Sequence, residues 1–138
     1  MKLINEFYEI IDERGGERMA EQKNDAANII PTSDFTRKVK LNTGHYIYKA
    51  HFPNNPITPG VCLVQMAGEL LEQRLKKHIK LNTAVNIKFR HPVDPTATPT
   101  FLFRKMSVNN STLSVSVSVE DEDAQLVRMS LIYDILEN

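Results

Sequence analysis

A single cysteine, Cys62, stands in 138 residues, which excludes an internal disulfide and any cysteine-rich zinc site. Neither sign of charge is in excess: 17 Lys+Arg balance 17 Asp+Glu, a formal net charge of zero. No broadly basic surface is therefore on offer to nucleic acid or an anionic membrane, and neither is expected as a partner. No apolar run is long enough to cross a bilayer. The opening Met1-Lys2-Leu3-Ile4-Asn5-Glu6 meets an acidic residue too early for a secretory signal. Repeats, low-complexity tracts and linkers are missing as well. What remains, 41% hydrophobic and 25% charged, is the mix of one globular domain over residues 1–138, with a cytoplasmic location expected.

Leu3, Ile4, Phe7, Ile10 and Ile11 recur at helical spacing, which predicts a short amphipathic helix over residues 3–13, stopped by Gly15-Gly16. Residues 17–34 are polar and patternless up to Ile29-Ile30-Pro31. The centre of the chain is different. Thr58 is placed to cap a helix, Pro59 suits its first turn, and Val61 to Leu71 is apolar except at Gln65, Gly68 and Glu69. A helix over about residues 59–77, apolar on nearly every side, belongs inside the protein.

Beyond it the period changes to two. Val85, Ile87 and Phe89 alternate with Asn86, Lys88 and Arg90, and Leu113, Val115, Val117 and Val119 alternate with serines. Residues 99–107 and 125–135 are strand-like, and Asn109-Asn110 and Asp121-Glu122-Asp123 supply turns. Thr36–Leu41 and Tyr46–Ala50 add two strand candidates upstream. The sum is an α+β fold: an antiparallel sheet wrapped around one long central helix.

Chemistry concentrates in His51-Phe52-Pro53-Asn54-Asn55-Pro56-Ile57-Thr58-Pro59-Gly60-Val61. Three prolines stiffen a loop that leads into the central helix, and a histidine at its head is held near the helix N-terminus, where free amides favour negative charge. An imidazole that titrates near neutrality beside an oxyanion-binding helix end suits removal of a proton next to a carbonyl, with the enolate oxygen on the amides of Gly60 and Val61. The alternative is a histidine whose ring merely bonds a loop carbonyl.

This stretch resembles the 3-hydroxyacyl-acyl-carrier-protein dehydratases of bacterial fatty acid synthesis, a hot dog fold family whose pattern is His-Phe-Pro-Gly-x-Pro-x-x-Pro-Gly-Val. The match runs from His51 to Val61, with Asn54 in place of the first glycine and Ala50 in place of the glycine usual before the histidine. A second family element, Phe-x-x-Pro-Val-x-Pro, appears as Phe89-Arg90-His91-Pro92-Val93-Asp94-Pro95. The resemblance covers roughly residues 36–135. It implies dehydration of a 3-hydroxyacyl thioester on acyl carrier protein to the trans-2-enoyl thioester. No metal or other cofactor is needed, and the site is built in a homodimer or higher oligomer. His51 maps onto the family histidine, and Phe52, Gly60 and Val61 onto substrate-binding positions. The family's acid belongs five residues after Gly60, where this chain has Gln65. Glutamine has no proton to give a departing hydroxyl. Glu69, one helical turn on, is the substitute candidate, against a structural role bonding a neighbouring strand or pairing across the dimer.

The remaining residues read more plainly. Cys62 is a small core residue. His45, His78 and His91 show no metal-ligand spacing and are taken as surface or interface residues. Arg74, Lys76, Lys77, Lys80, Lys88, Arg90, Arg104 and Lys105 form a solvated charged surface, part of which would meet an acidic carrier protein. Two other readings share the pattern: a thioesterase, and a non-catalytic acyl-binding subunit of a heteromeric dehydratase.

Overall fold

The computed structural model describes residues 1–15, 20–24, 29–50 and 54–136. Six strands form one antiparallel sheet: β1 (Tyr8–Gly15), β4 (Phe35–Leu41), β6 (Thr100–Asn109), β7 (Thr112–Asp121), β8 (Ala124–Ile135) and β5 (Ile79–Phe89), in that spatial order. Two short strands, β2 (Glu21–Lys23) and β3 (Ile29–Pro31), pair with each other apart from it. Helix α1 (Tyr46–Ala50) is short, and α2 (Gly60–Leu75) is the central helix.

The expected α+β arrangement is present, and its core joins helix to sheet. Leu63, Met66, Ala67, Leu70 and Leu71 of α2 are buried in one cluster with Phe35, Val39, Phe101, Phe103, Val117, Val127 and Met129 from the strands. Alternation along β7 works as the sequence predicts, since Leu113, Val115, Val117 and Val119 all enter that core. The turns fall at the expected places, with Asn110 and Glu122 at positive φ.

Four expectations need correction. Residues 3–13 are not a helix. A single turn, in which the Phe7 amide bonds the Leu3 carbonyl at 2.7 Å, ends where β1 begins. Helical spacing at Leu3 and Phe7 was genuine, but Asn5 has φ 68° and the segment from Tyr8 gains a ladder with β4. Tyr46–Ala50 is a helix rather than a strand. It buries the adjacent Ile47 and Tyr48, which a strand would send to opposite faces, and the His45 ring nitrogen Nδ1 accepts from the Ile47 amide at its start. His45 itself is buried, edge-on to Phe7, and is not a surface residue. Finally, the residues of β5 do not alternate cleanly. Register shifts at Leu81/Thr83 and Ala84/Asn86 interrupt this edge strand, and while Ile87 packs on the core, Val85 and Phe89 stay 60% and 56% exposed.

Thr58 does not cap α2; Pro59 occupies the cap and no side chain bonds there. The Thr58 hydroxyl instead bonds the buried Tyr48 hydroxyl at 2.9 Å, tying the proline loop to α1. Burial pushes the Tyr48 pKa up to about 12, against the Thr58 bond, which acts to lower it. Thr58→Val or Tyr48→Phe alone strands one buried hydroxyl and is expected to cost about 1–3 kcal/mol, whereas the double variant should lose much less than the sum. Urea unfolding of the four proteins measures this.

Candidate active site

The two sequence motifs meet at the start of α2. The Thr58 amide donates to the Val93 carbonyl at 2.9 Å, so the proline loop and the Phe89–Pro95 segment are joined by their backbones. Gly60 lies under the Phe89 ring, and a β-carbon at this position would fall 2.6 Å from the ring's Cζ. Glycine lets the ring lie directly on the helix start, and any larger residue would have to push Phe89 aside. Beyond Val93, the Asp94 carboxylate accepts from both the amide and the hydroxyl of Thr96, which shapes the turn and holds its pKa down. An apolar cavity of about 320 Å³ opens at this joint, lined by Ile57, Gly60, Leu63, Phe89 and Pro92, with Arg90 and His91 at its edge. His51 and Phe52 lie outside the described residues.

Helix α2 buries one face and leaves another open, so it is not enclosed on nearly every side as its composition suggested. Val61, 75% exposed, begins the open face, and Val64, Gln65, Gly68 and Glu69 continue it. With Ile79 and Leu81 of β5 and Tyr133 of β8 they line a groove of about 410 Å³, bordered by Met1 and Lys2. Three of the sequence-predicted site residues, Val61, Gln65 and Glu69, therefore share one groove, while Gly60 sits at the neighbouring cavity.

Glu69 has a definite role in this arrangement. One oxygen accepts from the Leu3 amide at 2.8 Å and from Gln65 at 3.0 Å; the other accepts from the Ile4 amide and the Tyr8 hydroxyl, both at 2.9 Å. A carboxylate offers about four lone-pair sites, and all are used. A proton on either oxygen would have to displace one of these donors. Tyr8 stays a donor, because burial first and then the Glu69 charge push its phenol pKa far up. Of its two readings, Glu69 has the contacts of the structural one: it ties the segment before β1 to the central helix.

The same contacts orient Gln65. Its amide nitrogen faces two acceptors, the Met1 carbonyl and the Glu69 carboxylate. Only the NH₂ group satisfies both, so the side-chain carbonyl oxygen is left for the groove. Gln65 offers the groove an acceptor and no proton.

Cys62 is buried, and burial pushes its thiol pKa up, as for an inert core residue. Among the described residues, no cluster of His, Cys, Asp or Glu is arranged to hold a metal, and no helix is long and apolar enough to cross a membrane. Tyr8 and Tyr133 were not singled out from the sequence. Tyr8 lay inside the supposed N-terminal helix, and Tyr133 in a strand apolar on both faces.

A family model for the ApeI dehydratase, described as ApeI-like, matches residues 27–128. The chain belongs to the ApeI-like dehydratase family. Solved structures agree on the fold. The dehydratase heterocomplex ApeI:P from Xenorhabdus doucetiae aligns with TM-score 0.60 at 15% identity, over 91% of this chain and 96% of that one. An uncharacterized protein from Erwinia carotovora subsp. atroseptica aligns with TM-score 0.65 at 18% identity, over 93% and 97%. A hypothetical thioesterase from Streptococcus pneumoniae TIGR4, solved with coenzyme A, gives TM-score 0.58 at 14% identity, over 98% and 93%. No curated protein sequence matches the chain. This ApeI-like protein therefore has the hot dog fold expected from the resemblance, in a family of dehydratases whose fold is shared with thioesterases.

The contacts of Glu69 predict its behaviour in this ApeI-like chain. Glu69→Ala is expected to lower stability by roughly 1–3 kcal/mol and to release the segment before β1. Hydrogen exchange at the Leu3 and Ile4 amides should then approach unprotected rates. A Glu69→Ala protein that keeps those amides protected would refute the anchoring role.

Proposed function

We propose that this ApeI-like protein dehydrates 3-hydroxyacyl thioesters carried on acyl carrier protein, giving trans-2-enoyl thioesters in fatty acid or related lipid biosynthesis. The observation that carries the reading is the joint at Gly60, where the proline loop that begins at His51 and the Phe89–Pro95 segment meet at the N-terminus of α2. In this reading His51 removes the C2 proton, and the amides of Gly60 and Val61, which have no partner within the helix, hold the enolate oxygen. Phe52 contacts the acyl group. Gln65 positions the C3 hydroxyl through its carbonyl oxygen and supplies no proton, so His51, protonated by the first step, returns the C2 proton to the departing hydroxyl as the C3–O bond breaks, and water leaves. Glu69, with its acceptor sites filled, supports Gln65 instead of replacing the missing acid.

Proton removal and loss of hydroxide should therefore separate. Exchange of the C2 hydrogen with heavy water is expected to outrun enoyl formation, and His51→Ala to abolish both. Gln65→Glu should accelerate enoyl formation, by up to about 10²–10⁴ if an acid is the only deficit. The new carboxyl would stand beside the Glu69 carboxylate, and like charge raises its pKa and keeps it protonated further up the pH scale. The gain should be fully present at low pH and fade as pH rises through that raised pKa. Free acid as the product of native protein would point to the thioesterase reading; neither exchange nor product would point to a non-catalytic acyl-binding subunit.

The second part of the proposal concerns assembly. β5 is an edge strand exposed along nearly its whole length, with Leu81, Val85 and Phe89 uncovered next to the exposed Val61. An unpaired apolar edge of this kind is an invitation to a partner strand. We infer a dimer across β5 and α2, with a second copy or with a homologue that contributes the absent acid. The heterocomplex formed by the Xenorhabdus relative supports the latter option. Val85→Lys is expected to drive the protein toward its monomer mass of 15.7 kDa in light scattering. An unaltered protein already at that mass at micromolar concentration would exclude the homodimer.

A further inference from the structure

Tyr133 is 2% exposed, and among the described residues no atom hydrogen-bonds its hydroxyl. A buried hydroxyl without a partner is costly, and most such groups find one. This hydroxyl lies against α2 at Gly68, where an added β-carbon would sit 3.7 Å from the oxygen. Gly68 therefore leaves a gap in the helix wall that an alanine would fill without a clash. The gap faces the groove that Gln65 also lines.

Gln65 and Gly68 are three residues apart on one helix, so the two positions are neighbours, about 5–6 Å from each other. Gln65 offers an acceptor there, as its nitrogen is taken by Met1 and Glu69. Tyr133 offers a donor. Burial and the nearby Glu72 charge push its phenol pKa up, so the hydroxyl keeps its proton and serves as a donor, not an acid. A donor and an acceptor at this spacing suit an alcohol, which accepts from one and donates to the other. A carbonyl or a saturated chain satisfies only one side or neither.

We propose that Tyr133 is a specificity-determining residue that, with Gln65, recognises the hydroxyl of a hydroxyacyl ligand in the groove between α2 and β5, Gly68 being the opening through which Tyr133 reaches it. The proposal rests on the acyl-thioester reading above and adds to it the feature that separates a 3-hydroxyacyl chain from a saturated one.

The test is calorimetric binding of stable pantetheine amides, in which nitrogen replaces the thioester sulfur, carrying 3-hydroxyacyl chains of short, medium and long length, against the same chains without the hydroxyl. The native protein should prefer the hydroxylated member about 3- to 10-fold, the worth of one or two neutral hydrogen bonds. Tyr133→Phe should lower that preference about 2- to 3-fold, to the part Gln65 supplies, while leaving the affinity for the saturated chain unchanged, and Gly68→Ala should do the same by screening the hydroxyl. Because Tyr133→Phe removes an unpartnered group, its thermal midpoint should equal or exceed that of the native protein. A Tyr133→Phe protein that keeps the full preference, loses affinity for both chains equally, or unfolds earlier would overturn the proposal. So would a change in dimer mass with ligand affinity intact, since the hydroxyl would then serve a second copy. Native protein that binds neither chain at any length would refute the acyl-thioester reading itself, and this proposal with it.

Discussion

Helix α2 carries more apolar surface than one curved sheet can cover, and the rest of the molecule is arranged around that excess. Leu63, Met66, Ala67, Leu70 and Leu71 face the strands and are fully buried. Each of these leucines and the methionine contributes roughly 1.5–3 kcal/mol by leaving water, which fixes the helix against the sheet. The opposite side, from Val61 through Gln65 and Gly68, lines an open groove. Among the described residues its borders are β5, Tyr133 and the first residues of the chain. The groove is a consequence of where the sheet stops.

Glu69 makes that border stable. Two amides from the segment before β1 and the phenol of Tyr8, the first residue of β1, converge on its carboxylate, together with the Gln65 amide. A carboxylate committed in this way is an anchor, and charge-assisted hydrogen bonds are the stronger kind. The same bonds turn Gln65 so that its carbonyl oxygen is the atom left over. Structure and chemistry are thus coupled through one acidic residue that takes no part in proton transfer in the proposed reaction.

At the other end of the helix, the coupling runs through backbone and ring. Thr58 to Val93 and Gly60 beneath Phe89 hold two segments, far apart in sequence, at one cavity. This explains why both motifs occur together: each supplies what the other packs against.

The helix, the strands of the second half and the turns between them were legible from local pattern, because burial of one face imposes a period of 3.6 or 2 on the residues themselves. The stiffness of the proline loop at the entry to the helix was legible for a similar reason, since three prolines restrict the backbone wherever they stand. Where local pattern was ambiguous, tertiary contact decided. Leu3 and Phe7 have helical spacing, yet Tyr8–Gly15 became a strand because β4 offered its backbone a full ladder. Tyr46–Ala50 was a strand candidate, yet the His45 ring bonds its start and Ile47 is buried beside Tyr48, as in a helix. The part of Glu69 could not be read from its position, because three of its four partners come from residues more than sixty places away. Tyr133 was invisible for the same cause: an unpartnered hydroxyl is defined by what fails to surround it, and that is a property of the folded chain alone.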